Sequence, residues 1–107
     1  MLTVLDLIDL HTLAASLPQA WCSQVFTTSG KLRGKVLRMD GQALPEESHP
    51  YDELLLVLSG QMPLRLHGAV QWVRSGQCCR VPAGTPHAVD AGSDGVLLIF
   101  EPDHIAP

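Results

Sequence analysis

Short apolar segments dominate the chain from Trp21 onward, and glycine, proline, aspartate or serine interrupts them about every ten residues. This spacing is typical of an all-β sandwich or barrel. Two of the segments, residues 54–58 and 96–100, are apolar at every position. Both faces of those strands must therefore contact protein, which predicts a two-sheet or closed β architecture.

The strand predictions follow these segments. We expect strands at residues 21–27, 34–39, 53–58, 62–66, 70–74, 78–81, 87–89 and 96–101. Turns are expected at Ser59-Gly60 and Ser93-Asp94-Gly95, because glycine reaches positive φ at little cost. Near the start of the chain, residues 3–7 could form an opening strand. Asp9 is predicted to cap a short amphipathic helix that ends at Pro18.

Length and composition indicate one domain, because 107 residues with 46% hydrophobic residues provide for one core. We divide it into an N-terminal strand and helix (1–20), a barrel (21–102) and an irregular tail (103–107). A core of this size folds without an obligatory metal or disulfide, so any bound metal would serve function.

Charge and cysteine usage narrow the possible partners and the cellular location. The formal net charge is -4, which disfavours nucleic acid and anionic membranes as partners. The three cysteines are an odd number, and two of them, Cys78 and Cys79, are adjacent, so a disulfide framework is not expected. The N-terminal residues include two aspartates and no basic region, unlike a secretion signal. We therefore expect a cytoplasmic protein.

Candidate metal ligands cluster in the segment before the first fully apolar strand. Glu47, His49, Tyr51 and Glu53 alternate along the chain and would share one face if the segment stays extended. A Pro/Gly turn precedes His87, and such a turn could return this histidine over the first segment. Two imidazoles with one or two carboxylates suit Fe(II), Mn(II), Ni(II) or Zn(II). The alternative is that the histidines lie in loops and the acidic residues form a solvated stretch.

These two segments resemble the two sequence motifs of the cupin family. In the first motif a His-x-His pair and a glutamate lie between two glycines, and Gly41, His49, Glu53 and Gly60 occupy the matching positions. Glu47 stands where the first histidine of the pair is usual. The second motif continues with the matching residues Gly76, Pro82, Gly84 and His87, whereas Ala91 replaces an asparagine. The resemblance covers about residues 21–102.

The resemblance implies a double-stranded β-helix, the cupin or jelly-roll barrel, with one short N-terminal helix. It also implies one divalent metal ion held by His49, Glu53 and His87. Glu47 would complete a two-His, two-Glu set, or turn outward and leave three ligands, or belong to a metal-free pocket. Small cupins commonly pair through exposed strands, so a homodimer is expected, with the apolar N-terminal segment completing the partner's sheet.

The family's activities are diverse, so function is expected only in outline. One hypothesis is a metal-dependent enzyme of oxygenase, isomerase or lyase type acting on a small polar organic molecule, in which Tyr51 or Glu47 moves protons. The alternative is a non-catalytic module that binds a sugar or carboxylate. Tyr51 could equally be a structural aromatic residue at the barrel rim. Arg38 is expected either to face solvent or to hold a substrate carboxylate.

Overall fold

The protein is described by a computed structural model covering residues 7–103. It contains one helix and eight strands in the order α1 (Leu10–Ser16), β1 (Gln24–Ser29), β2 (Leu32–Met39), β3 (Leu44–Glu47), β4 (Glu53–Leu66), β5 (Ala69–Arg74), β6 (Cys78–Val81), β7 (His87–Val89) and β8 (Asp94–Pro102). The mostly antiparallel β fold with one short helix confirms the predicted fold class.

The strands form a sheet in the order β1-β2-β8-β4-β7-β3, and β5 and β6 also pair with β4. Strand β4 is long enough to serve two regions. Its first half pairs with β6 and β8, and its second half pairs with β5 and β7. It therefore connects the apolar centre of the barrel to the strands that carry the candidate site.

The two fully apolar segments face two different cores. Leu55, Val57 and Leu97 point into the barrel, where they pack with Met62 and Leu64. The alternate residues, among them Leu98 of β8 and Leu56 of β4, pack in a second cluster on the outer face with Ala14 of α1. The helix thus covers the outside of the β2–β8–β4 region, which explains why these strands are apolar on both faces.

Helix α1 begins where the sequence predicts. The Asp9 side chain accepts a hydrogen bond from the backbone N–H of Thr12, and this cap fixes the first turn. At the other end, Arg38 donates hydrogen bonds to the carbonyls of Ala14 and Leu17 at 3.0 and 2.9 Å. Arg38 therefore fits neither expectation: it anchors the helix to β2, an internal strand. In the described part of the chain, no helix has the length and apolar character needed to cross a membrane.

Two predicted turns lie inside strands. Gly60 and Gly95 are partners in the β4–β8 pairing, and both have positive φ, at 83° and 98°. A β-carbon added to either would lie 2.0 Å or less from a backbone oxygen of the other strand. These glycines permit close strand approach and do not reverse the chain, so β4 continues through Gly60.

The other strand predictions differ from the structure in detail. Strand β3 was expected only as part of an extended segment, and β1 begins at Gln24, after the Trp21 at which the first strand was expected to start. The predicted opening strand at residues 3–7 lies outside the described residues except for Leu7, which is not in a strand. The predicted tail lies outside them beyond Asp103.

Candidate metal centre

Three strands bring the candidate ligands to one end of the barrel. Glu47 is the last residue of β3 and pairs directly with His87, the first residue of β7. His87 also pairs with Leu66 at the end of β4, and Glu53 is the first residue of that same strand. Strand register therefore fixes Glu47 opposite His87, although the two residues are distant in sequence.

Loop contacts bring His49 to the same point. The backbone N–H of Gly84 donates to the His49 carbonyl at 2.7 Å. Asp52 accepts hydrogen bonds from the Ala83 backbone N–H at 2.8 Å and from Arg80 at 2.9 Å. The two motif segments are thus joined by their own loops, which holds His49 beside the start of β7.

Four side-chain donor atoms converge in this region. His49 Nε2 lies 3.3 Å from Glu47 Oε1 and 3.4 Å from Glu53 Oε1. His87 Nε2 lies 3.9 Å from Glu47 Oε1 and 3.5 Å from Glu53 Oε1. The ligand atoms of Glu47, His49 and His87 all lie within 4.8 Å of one another, and the group could hold a metal ion.

The spacing of these donors fits a transition-metal ion. Atoms about 2.0 to 2.2 Å from one ion are about 2.8 to 3.6 Å apart in octahedral or tetrahedral geometry, close to the distances in this site. The chemistry fits as well, because imidazole and carboxylate suit first-row divalent metals. His87 Nδ1 lies 3.0 Å from the Thr85 carbonyl oxygen, which can only accept, so Nδ1–H donates to it and Nε2 is the ring nitrogen that faces the cluster.

The charge of the site also fits a bound metal ion. Glu53 has a side chain only 7% exposed, and burial raises the pKa of its carboxyl group, although His49 and His87 oppose this rise. A divalent cation between the two imidazoles would supply the positive charge that this buried carboxylate lacks. Glu47, with a side chain 64% exposed, lies at the solvent side and nevertheless directs its Oε1 toward both imidazoles.

Tyr51 completes the cluster on one side. Its ring stacks on the His49 imidazole, with centroids 5.2 Å apart and planes at 12°. Burial raises the pKa of the Tyr51 phenol, and the charges of Glu101 and Glu53 add to the rise. The phenol therefore stays protonated in the neutral range and can donate a hydrogen bond.

The cluster opens into a cavity of about 310 Å³. About half of the residues that line the cavity are apolar, and the others are polar or ionisable. Its lining comprises Trp21, Ser23, Lys35, Leu37, Leu44, Glu47, His49, Tyr51, Glu53, Leu55, Met62, Leu64, His87, Val89, Leu97, Ile99 and Glu101. A concave cavity with apolar walls and converging polar groups is the usual form of a small-molecule site.

The predicted site residues lie together, but the expected geometry of their segment differs. The structure gathers Glu47, His49, Tyr51, Glu53 and His87 around one cavity. However, the chain between β3 and β4 bends at Pro50 and Tyr51 and is not extended throughout. Alternation along one strand therefore does not place these side chains on a common face. The bend and the loop contacts do.

Three residues that line the cavity were not among the site residues predicted from the sequence. Lys35 and Glu101 line the cavity from β2 and β8, and Trp21 lines it from the segment before β1. The alternation of side chains along β2 could have placed Lys35 on the inner face, since Lys35 alternates with the inward-facing Leu37 and Met39. Trp21 has φ of 65°, which is rare for a bulky residue, and its indole donates to Asp40 at 2.8 Å.

Solved structures share this architecture. A cupin-2 domain protein from Shewanella frigidimarina is 18% identical, with a TM-score of 0.83, and the match covers 91% of this chain and 95% of that one. A Streptococcus pyogenes protein of unknown function is 26% identical, with a TM-score of 0.75 and coverage of 94% and 89%. A proposed mannose-6-phosphate isomerase from Ralstonia eutropha is 28% identical, with a TM-score of 0.68 and coverage of 83% and 89%.

An antiparallel barrel with a His/Glu cluster at one end defines the class of protein. The family profile described as Cupin domain matches residues 36–101, which is more than half of the chain. The chain therefore belongs to the cupin family, as its two motifs predict. No functionally curated protein matches the sequence.

Proposed function

We propose that this cupin binds one divalent metal ion, Mn(II), Fe(II), Ni(II) or Zn(II), and acts on a small polar organic molecule in the adjoining cavity. His49, Glu53 and His87 would hold the ion, with Glu47 as a fourth ligand. The observation that carries the proposal is the convergence of these donors from three strands and the loop between β3 and β4, at distances of 3.3 to 3.9 Å.

Metal-dependent catalysis of isomerase, lyase or oxygenase type is the favoured activity. A bound divalent ion supplies Lewis acidity and a template for oxygen ligands of the substrate. The apolar walls formed by residues such as Leu37, Leu64 and Ile99 would exclude water from the reacting group. Tyr51 would donate a proton or hydrogen bond from its phenolic oxygen. In the alternative in which Glu47 turns away from the ion, its exposed carboxylate would move protons instead.

Similarity to the Ralstonia eutropha protein supports the isomerase variant of this activity. That protein is proposed, by its description, to be a mannose-6-phosphate isomerase, and it is 28% identical over 83% of this chain. The cavity volume of about 310 Å³ lies near the lower end of the usual range for ligand pockets, which favours a small substrate.

A non-catalytic binding module is the second candidate. The apolar residues of the cavity lining support it, because they would bury part of a ligand without any chemical step. Turnover of any small acid or sugar by metal-loaded protein distinguishes the enzyme, whereas saturable binding without turnover distinguishes the module.

The remaining proposals concern assembly, domain organisation and location. A homodimer is supported by the end position of β1 in the strand order and by the exposure of Val25 and Leu32 near that edge. The single-domain division into residues 1–20, 21–102 and 103–107 and the cytoplasmic location still rest on the sequence.

Metal analysis of untagged protein tests the proposed site. We expect close to one equivalent of divalent metal in protein purified after growth with varied metal supply. His87→Ala and Glu53→Gln should each lower metal affinity by about 100-fold or more, because each removes one of the ligand atoms that would hold the ion. Glu47→Gln should have a smaller effect, since this side chain is largely exposed.

His67→Asn is the matched control. His67 lies in the exposed turn between β4 and β5 with φ of 51°, a conformation that asparagine tolerates. This variant also removes one histidine but should keep full metal content. Wild-type protein with far less than one equivalent under every metal supply would contradict the metal function.

A further inference from the structure

A buried carboxylate on the cavity wall contacts two cations. Glu101 on β8 has a side chain that is not exposed at all. Arg33 on β2 donates from Nε to Glu101 Oε2 at 2.9 Å, and its Nη2 contacts the same oxygen. On the same face of β2, Lys35 places Nζ 2.9 Å from the other oxygen, Oε1.

This group of three residues carries one positive charge in excess. Arg33 alone offsets the charge of Glu101, so the ammonium of Lys35 is the surplus charge. Of these two cations, Lys35 is the one that lines the cavity. Its contact with Oε1 is poorly aligned, because that oxygen makes no hydrogen bond of normal geometry. At least one N–H group of Lys35 is therefore available to a ligand.

The charge at the metal centre does not offset this surplus. Glu47 and Glu53 carry two negative charges, which balance one divalent ion. With the ion bound, the metal centre and the group of Arg33, Lys35 and Glu101 together carry a net charge of about +1. Lys35 is the cation of that group that lines the cavity. A small ligand with one negative charge would complete the balance, whereas a doubly charged phosphate would leave excess negative charge.

We propose that Lys35 binds the carboxylate of a small organic acid whose other polar atoms reach the metal centre. The inference rests on the proposed metal function and adds to it the chemical class of the ligand. Arg33 keeps Glu101 paired while Lys35 turns one or more of its N–H donors to the ligand. Lys35 is thus a binding residue for the ligand and has no role in holding the metal.

Calorimetric titration of zinc-loaded protein tests this proposal, with glycolate and its neutral analogue glycolamide as probes. Wild-type protein should bind glycolate about tenfold or more tightly than glycolamide, as expected for a charge-assisted hydrogen bond. Lys35→Met should abolish this preference, and Lys35→Arg should retain most of it. Lys31→Met removes a positive charge from the exposed residue next to β2 and should leave the preference unchanged.

Zinc content and thermal unfolding are measured for every variant, with Lys35→Gln as a second neutral variant should Lys35→Met fail to fold. If the wild type and the folded neutral variant both bind zinc and prefer glycolate equally, the proposed role of Lys35 is wrong. That result would leave the proposed metal function intact. Protein that takes up no zinc would contradict the proposed metal function itself. Tighter binding of inorganic phosphate than of glycolate would overturn the carboxylate assignment.

Discussion

At the scale of single residues, Glu101 shows how a charge is kept inside an apolar barrel. Burial alone would raise the pKa of this carboxyl group, but the hydrogen bonds from Arg33 and the nearby positive charge of Lys35 outweigh burial and hold the pKa below its usual value. The ionised form is therefore the stable one in the folded protein. Breaking such a pair leaves the partner charges without compensation, which costs more than the net worth of the pair.

The depressed pKa of Glu101 predicts a specific pH dependence of folding. Its stabilising contribution is fully present above the unfolded-state pKa of about 4.3 and is lost as pH falls through the lower folded-state pKa. Glu101→Gln should reduce the free energy of unfolding at pH 7 by about 3 to 5 kcal/mol, and by less as the pH falls below about 4. Urea unfolding across this range measures the difference.

Glu46→Gln is the charge-matched control, since Glu46 is exposed on β3. It should change stability little at any pH. An equal loss of stability at pH 7 and pH 3 in Glu101→Gln would show that packing accounts for the effect and ionisation does not.

Individual residues also show which features of the site could be predicted from the sequence. The motif positions of His49, Glu53 and His87 were available because their spacing matches a known pattern. The ion pair between Arg33 and Glu101 was not, because 68 residues separate the partners and strand register alone brings them together. The hydrogen bond from His87 to the Thr85 carbonyl likewise depends on a turn conformation that composition does not specify.

At the scale of elements, the crossing of β4 and β8 depends on two facing glycines. A β-carbon on Gly95 would lie 2.0 Å from the Ser59 carbonyl oxygen, and one on Gly60 would lie 1.9 Å from the Asp94 carbonyl oxygen. Both contacts involve backbone atoms, so neither can be relieved by a side-chain rotation. The strands would have to separate, and β4 also carries Glu53 at its start.

We predict that Gly95→Ala lowers the free energy of unfolding by about 3 kcal/mol or more. Gly68→Ala is the control, because Gly68 also has positive φ, at 77°, but an added β-carbon there meets nothing within 4 Å. It should cost only the conformational strain of about 1 to 2 kcal/mol. Equal losses in urea unfolding would contradict the close-approach explanation.

Element prediction succeeded where periodicity was strong and failed where glycine was ambiguous. The helix after Asp9 and the strand pattern from β4 to β8 follow from apolar spacing and capping. Gly60 and Gly95 were interpreted as turns, because sequence does not distinguish a glycine that reverses the chain from one that admits a neighbouring strand. Strand β3 lacked a clear signal, since it is short and mostly exposed.

At the scale of the whole molecule, the candidate metal centre joins parts of the barrel that are distant in sequence. Its donors come from the end of β3, the following loop, the start of β4 and the start of β7. An ion bound there would link these elements in the folded state, and the unfolded chain would not hold the same donors together. Metal binding should therefore stabilise the entire fold.

Thermal unfolding with and without metal tests this coupling. At a free metal concentration of about 100 times the dissociation constant, binding contributes about 2.7 kcal/mol, which corresponds to a rise in Tm of roughly 10 °C for a domain of this size. His87→Ala should abolish the rise, and His67→Asn should retain it. Glu47→Gln should reduce the rise caused by metal, because it removes one of the four donor atoms. A Tm that does not depend on metal concentration in the wild type would show that the four donors do not form a metal site.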